Sequence, residues 1–155
     1  MIEYLRTGDL FAGLSDQILE RIAACCRLQA YSAGTVLFSE GDPAPWLYIL
    51  QEGIVIIRVQ HASGGKSIVV QPIEKKSGVF GWSALVEPNT YTAEAVCTTN
   101  VKVIAIDGKK LMALLEEFPS VGLVVMRRLA SIISSRLRRA WEHLKEDVHL
   151  ADYHF

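Results

Sequence analysis

From Tyr31 onward the middle of the chain is cut into short β-prone runs, and this punctuation restricts the fold more than any other feature of the sequence. The runs are Thr35–Phe38, Trp46–Gln51, Ile54–Val59, Ser67–Gln71, Tyr91–Cys97 and Val101–Ile106. Between them lie Glu40-Gly41-Asp42-Pro43, Glu52-Gly53, His61–Lys66, Ser77-Gly78 and Thr98–Asn100. Glycine reaches the backbone conformations that tight turns need, and proline presets one of them, so breaks at this spacing predict an antiparallel sandwich or roll. Ser63-Gly64-Gly65-Lys66 reads as a hairpin loop. Gly81-Trp82-Ser83-Ala84-Leu85, ended by Pro88-Asn89, is too short for a domain helix and reads as a single helical turn inserted between two strands.

Both flanks switch to helical spacing. Leu14, Ile18, Leu19, Ile22 and Ala23 share a face over residues 15–26, with Ser15 as N-cap and Asp16 placed to favour the helix dipole. A shorter helix is expected around Ile2–Arg6. At the other end, Lys109–Glu117 reads as a short helix, and Pro119 suits the first turn of a longer one reaching about Val148. On that helix Leu123, Ala130, Leu137 and Leu144 fall at one heptad position, and Met126, Ile133 and Ala140 at the other. Val121, Val124, Val125, Leu129 and Ile132 form a second apolar face. Two apolar faces need two partners, so one is expected to pack on the roll and the heptad face to form a homodimer; the alternative is that the whole helix packs within the chain. The expected fold class is mainly β with flanking α. It is an antiparallel β-roll or jelly roll with N-terminal helices, a short inserted helix and a long C-terminal helix. One domain is expected over residues 1–155, with the roll at about 30–107 and the C-terminal helices at about 109–148.

Composition removes several function classes. The net charge of −1 argues against a protein that coats nucleic acid. Residues Met1–Leu10 carry Glu3, Arg6 and Asp9 and lack the apolar core of a signal peptide, and the best apolar run, Val121–Met126, is far too short to span a membrane. Three cysteines, Cys25, Cys26 and Cys97, suggest neither a disulfide framework nor a zinc site. Cys25 and Cys26, placed on the predicted helix, read as small buried apolar residues, with redox sensing as the alternative. A cytoplasmic protein is expected.

The order of elements, and the residues that mark it, resemble the cyclic-nucleotide-binding domain family over about residues 10–146. The markers are Leu10-Phe11-x-x-Leu14, Gly34-x-x-Leu37-Phe38-x-Glu40-Gly41-Asp42 and Leu47-Tyr48-Ile49-Leu50-x-x-Gly53-x-Val55. They continue with Phe80-Gly81-x-x-Ala84-Leu85, Ala93 and Phe118-Pro119. The family includes bacterial catabolite activator proteins, regulatory subunits of cyclic-AMP-dependent kinase and nucleotide-gated channels. The resemblance implies that Phe80–Val96 forms a phosphate-binding cassette, in which N–H groups of the short turn face a phosphate. Its ligand-binding positions here are Phe80, Gly81, Trp82, Ser83, Ala84, Leu85, Tyr91, Thr92 and Ala93, with Arg136 reaching over from the long helix.

The cassette departs from the family pattern. Trp82 stands where a glutamate holds the ribose, and Tyr91 where an arginine pairs with the phosphate. The hydroxyl position is Thr92 or Glu94; strand alternation puts both on one face, so the sequence does not separate them. Losing one charge-assisted hydrogen bond costs about 1.5–3 kcal/mol, and losing two would carry a micromolar binder to roughly millimolar or weaker. Trp82 and Tyr91 either fill the vacated pocket or build an aromatic site for another ligand. Arg136 either replaces the missing charge or, with Arg127, Arg128, Arg138, Arg139 and Lys145, belongs to a solvated basic face.

No motif for catalysis is present, so no enzyme activity is expected, and no cofactor, metal or haem. His61, His143, His149 and His154 lack metal-pair spacing. A helix-turn-helix is not expected after Val148, which excludes direct DNA reading. Three functions remain. One is a sensor for a small anionic or nucleotide-like ligand other than cyclic AMP, or one that binds cyclic AMP weakly. Another is a ligand-free dimerisation or protein-interaction module with a plugged pocket. The third is a conventional cyclic-nucleotide receptor using Thr92 and Arg136.

Overall fold

A computed structural model describes the backbone of residues 1–152 and the side chains of residues 1–146; His149 and His154 lie outside the described side chains. Helices α1 (Ile2–Thr7) and α2 (Asp16–Ala23) precede eight strands. These are β1 (Cys26–Tyr31), β2 (Val36–Phe38), β3 (Trp46–Glu52), β4 (Val55–Gln60), β5 (Ser67–Ile73), β6 (Val79–Phe80), β7 (Glu94–Cys97) and β8 (Val101–Asp107). A 3₁₀ turn, Trp82–Leu85, interrupts the strands, and helices α3 (Gly108–Glu117) and α4 (Pro119–Asp152) follow them. The strands form two antiparallel sheets, ordered β1-β8-β3-β6 and β2-β7-β4-β5. The expected class, an antiparallel roll flanked by helices, is the class observed.

Strands β3 and β8 lie side by side and bury both faces. Leu47 and Ile49 of β3, with Ile104 and Ile106 of β8, face a cluster supplied by α1 to α4. Their alternates Tyr48, Leu50, Val103 and Ala105 face the inside of the roll. A strand covered on both sides reads as an unbroken apolar run, which is why Trp46–Leu50 and Val103–Ile106 stand out without alternation. The helical caps form as their residue types dictate. The Ser15 hydroxyl accepts the Ile18 N–H at 3.3 Å, and the Asp107 carboxylate accepts the Lys110 N–H at 3.1 Å.

Several boundaries differ from the sequence reading. Helix α2 ends at Ala23, and Cys26 opens strand β1 rather than continuing the helix. The Asp107 N–H donates to the Cys25 carbonyl, drawing the chain onto the edge of β8. Cys25 and Cys26 are both only half-buried, and burial nevertheless pushes the Cys26 thiol up to about 12. Strand β6 is two residues long, below what periodicity reveals, and β7 starts at Glu94 rather than Tyr91. Strand β5 extends through Pro72, which an edge strand tolerates because its outer N–H need not pair.

Helix α4 divides its apolar residues differently from the heptad pattern. Val125 and Leu129 are buried, and Met126, Ile132 and Ile133 pack on the same cluster. Met126 and Ile133, read as dimer-face residues, thus share in the chain's own core. Leu123, Ala130, Leu137 and Leu144 are exposed, as are Trp141 and Val124, which the sequence put on the inner face; Ala140 is half-exposed. Arg128 is not part of a solvated face: its guanidinium donates to the carbonyls of Ala12 at 2.6 Å and Leu10 at 3.3 Å, pinning α4 to the loop before α2.

Two-sided burial makes both faces of the central sheet equally sensitive. Ile106→Ala on the helix side and Leu50→Ala on the roll side, both fully buried, are each expected to cost about 2–5 kcal/mol in urea unfolding. Leu28→Ala, on the exposed edge strand, is expected to change stability by less than about 0.5 kcal/mol.

Candidate functional site

The inserted turn is held against the end of β3 by a glycine. Gly81 sits at φ +74°, and a Cβ there would come within 3.1 Å of the Tyr48 ring and 3.2 Å of the Trp46 carbonyl. Both the left-handed conformation and the close approach exclude a larger residue. At the other end of the turn, the Asn89 amide donates to the carbonyls of Ser83, Ala84 and Val86 at 3.0–3.2 Å. Ala84 and Leu85 face away from the roll interior and join the helix-side cluster, so their side chains are not pocket residues. The spacing that marks them in the sequence reflects packing beneath the turn.

Phe38, Ile57, Phe80, Gly81, Trp82, Ser83, Tyr91, Thr92, Ala93 and Arg136 surround a cavity of only about 50 Å³. Tyr91 is the main reason for its size. The ring lies in the roll interior, 4% exposed, stacked on Phe38 with centroids 3.7 Å apart and planes 12° from parallel. Its hydroxyl donates to the Trp46 carbonyl at 2.6 Å and accepts the Trp46 N–H at 3.3 Å. The Tyr91 backbone is tied to the β2–β3 loop, accepting from the Gly41 N–H at 2.8 Å and donating to the Asp42 carbonyl at 2.9 Å. Tyr48 continues the layer, its ring 6.0 Å from Phe38 and 5.1 Å from Phe80. The sequence reading treated Phe38 and Tyr48 only as markers of the fold. Their aromatic character was the signal that they could fill space with Tyr91.

Thr92 and Glu94 have different surroundings in the structure. Because β7 starts at Glu94, strand alternation does not extend back to Thr92. Ala95 and Cys97 point inward, and Glu94 points outward, where its carboxylate accepts from Arg58 Nε at 2.8 Å. Arg58 stands opposite Glu94 in the β4–β7 register. Thr92 lies in the preceding bend, exposed at the cavity's rim.

Arg136 reaches the cassette, as the count from Phe118-Pro119 implies. Its guanidinium carbon lies 4.7 Å from the Trp82 ring centroid, a cation–π contact that draws a half-buried charge over a half-buried aromatic ring. Burial, and then the nearby Arg139 charge, pull its pKa down to about 10, which leaves it cationic at neutral pH. Burial, helped by the Asp42 charge, pushes the Tyr91 hydroxyl up to about 12, against its hydrogen bonds to the Trp46 backbone and Tyr48. The polar side chains on the cavity wall are the hydroxyls of Ser83, Tyr91 and Thr92 and the guanidinium of Arg136. Among the described residues no group of three His, Cys, Asp or Glu side chains is placed to hold a metal ion.

Two four-stranded sheets, an inserted turn entered through a left-handed glycine and a long helix lying over that turn define a β-roll of the cassette-bearing type. Residues 28–118 match the family model described as cyclic nucleotide-binding domain, and the chain belongs to that family. The CRP-like cAMP-activated global transcriptional regulator of Mycobacterium tuberculosis is 24% identical over 146 residues, covering 94% of this chain and 62% of the regulator. A cAMP-dependent protein kinase regulatory subunit of Pyricularia oryzae is 34% identical over 114 residues, covering 72% of this chain and 27% of the subunit. A putative cyclic nucleotide-binding protein from Geobacter metallireducens shares the fold with a TM-score of 0.72 at 32% identity, covering 87% of this chain and 96% of that one. The chain thus spans about three fifths of the mycobacterial regulator's length. Among the described residues no helix is long and apolar enough to cross a membrane.

The Tyr91 hydroxyl carries a testable pH signature. Its folded pKa of about 12 lies above the ordinary tyrosine value of 10.0, so the fold favours the neutral form. The resulting stabilisation is complete below about pH 10 and is lost as pH rises through the folded pKa of about 12. Tyr91→Phe is expected to lower stability at pH 7 by about 1–3 kcal/mol, since the Trp46 carbonyl loses its donor. It should also flatten the decline above pH 10, as read by urea unfolding across the alkaline range.

Proposed function

We propose that this chain is a regulatory domain of the cyclic-nucleotide-binding family whose roll is plugged by its own aromatic side chains and which acts through α4. The observation that carries this reading is Tyr91. It occupies the place of the family's phosphate-binding arginine, but its ring is turned inward against Phe38 and locked to the Trp46 backbone. A cavity of about 50 Å³ has room for about one water, far below the several hundred cubic ångströms of a small-molecule pocket. Trp82 stands in the place of the ribose-binding glutamate, so neither of these two positions supplies the charge or the acceptor that the family's ligand uses there. In this reading, calorimetric titration with cyclic AMP or cyclic GMP gives no saturable heat up to millimolar ligand. Micromolar binding that disappears in Arg136→Ala would restore the conventional receptor.

A second copy of the chain is the partner proposed for α4. Leu123, Leu137 and Leu144 recur at a heptad position and are each about half exposed, with Trp141 54% exposed beside them. Leu137→Glu leaves the helix-side core untouched and is expected to weaken self-association at least tenfold in sedimentation equilibrium, because it places two like charges at the helix seam. A sensor for a ligand other than cyclic AMP is the second reading. It is favoured by the Arg136–Trp82 contact, which sets a long, multi-rotamer side chain at the rim where the cassette meets α4.

A further inference from the structure

A second and larger hollow lies outside the roll, between α4 and the segment from the end of β5 to β6. Its volume is about 690 Å³, within the range of small-molecule sites. One wall is a single stripe of α4, in which Arg128, Ser131, Ser135 and Arg139 follow one another at helical spacing, with Ile132 and Arg136 beside them. The opposite wall carries Gln71, the exposed Pro72 and the exposed carboxylate of Glu74, over a base of buried Ile73 and Val79. Lys75 and Asp9, at one end, pair with each other at 3.2 Å. Arg128 is committed to the carbonyls of Leu10 and Ala12. That leaves Arg136 and Arg139, neither of which meets a carboxylate or any other acceptor among the described residues.

We propose that this groove is a binding site for a small organic phosphate, with Arg136 and Arg139 meeting the phosphate, Ser131 and Ser135 supplying hydroxyl donors, and Pro72 and Ile132 meeting an apolar body. Two neighbouring guanidinium groups without a counter-ion repel each other, and an anion between them removes that repulsion while satisfying donors that the protein leaves open. The contact of Arg136 with Trp82 uses none of its N–H groups, so it does not compete with the phosphate for donors. Because Arg136 borders both this groove and the small cassette cavity, it gives an external ligand a route to the cassette. The site lies outside the plugged roll and does not depend on whether the roll admits a cyclic nucleotide.

The test is calorimetric titration of the full chain with inorganic pyrophosphate, which offers charge alone, and with adenosine 5′-monophosphate, which adds an aromatic body. Saturable binding is expected for both, tighter for the monophosphate ester, and weakened at least tenfold by Arg139→Ala. Arg139 is exposed, so this variant keeps the core. Ser135→Ala should weaken binding in the same direction by a smaller factor. Arg27→Ala, which removes a cation stacked on Trp46 from β1, the edge strand opposite β6 in its sheet, should leave affinity unchanged. Binding should alter tryptophan emission through Trp82, and the change should vanish in Trp82→Phe. No saturable binding up to millimolar ligand, or equal affinity in the native chain and Arg139→Ala, overturns the site. So does loss of self-association in Arg139→Ala with no phosphate bound, which would assign the groove to a second copy.

Discussion

The two-sided burial of β3 and β8 is the constraint on which the rest of the molecule depends. Each residue inside the roll has neighbours on the same strand whose side chains face the helices: Tyr48 lies between Leu47 and Ile49, and Ala105 between Ile104 and Ile106. A change in what the roll contains therefore bears on the surface that carries α1 to α4. The coupling is tightened where backbone meets backbone. A Cβ on Gly108, at the start of α3, would lie 2.6 Å from the Ala84 carbonyl of the inserted turn. A Cβ on Gly122, in the first turns of α4, would lie 2.6 Å from the Leu115 carbonyl of α3. Turn, α3 and α4 are thus stacked at distances that leave no slack, and packed interfaces of this kind move as units rather than deform gradually.

What was legible in the sequence follows from the same physics. The doubly buried strands announce themselves as apolar runs, and Ser15 and Pro119 mark helix starts by hydrogen-bonding logic that needs no tertiary context. Strand β1 was not legible, because an edge strand with Leu28 exposed has no clean alternation, and Cys25 and Cys26 continue the helical spacing of α2. The orientation of the cassette residues was not legible either. Alternation puts Thr92 and Glu94 on one face, and only the contacts around them separate a Glu94 paired with Arg58 from a Thr92 left in a bend at the cavity's rim. Arg136 could be placed by counting along a helix, where geometry is regular. Arg128 could not be recognised as a clamp, since its acceptors are backbone carbonyls more than a hundred residues away in sequence.

In the proposed reading, a plugged roll makes the loss of the cassette arginine count for more than the loss of one ion pair. Any ligand taking the family's pose must first remove the Tyr91 ring from the interior. Exposing an aromatic ring costs about 1.5–3 kcal/mol, losing its stack on Phe38 about 0.5–1.5 kcal/mol, and breaking its bond to the Trp46 carbonyl about as much again. An opening cost of this order lowers apparent affinity by roughly a hundredfold to ten-thousandfold before the missing ligand contacts are considered. The Arg136–Trp82 contact is different in kind. A cation–π pair of this exposure is worth about 0.5–2 kcal/mol, and desolvation of the guanidinium works against it. The interior of the cassette is therefore stiff, while its outer rim is held by an interaction weak enough for a small ligand to rearrange. A regulatory input to this molecule meets the least resistance at α4, where Arg136 can exchange one partner for another without disturbing either face of the central sheet.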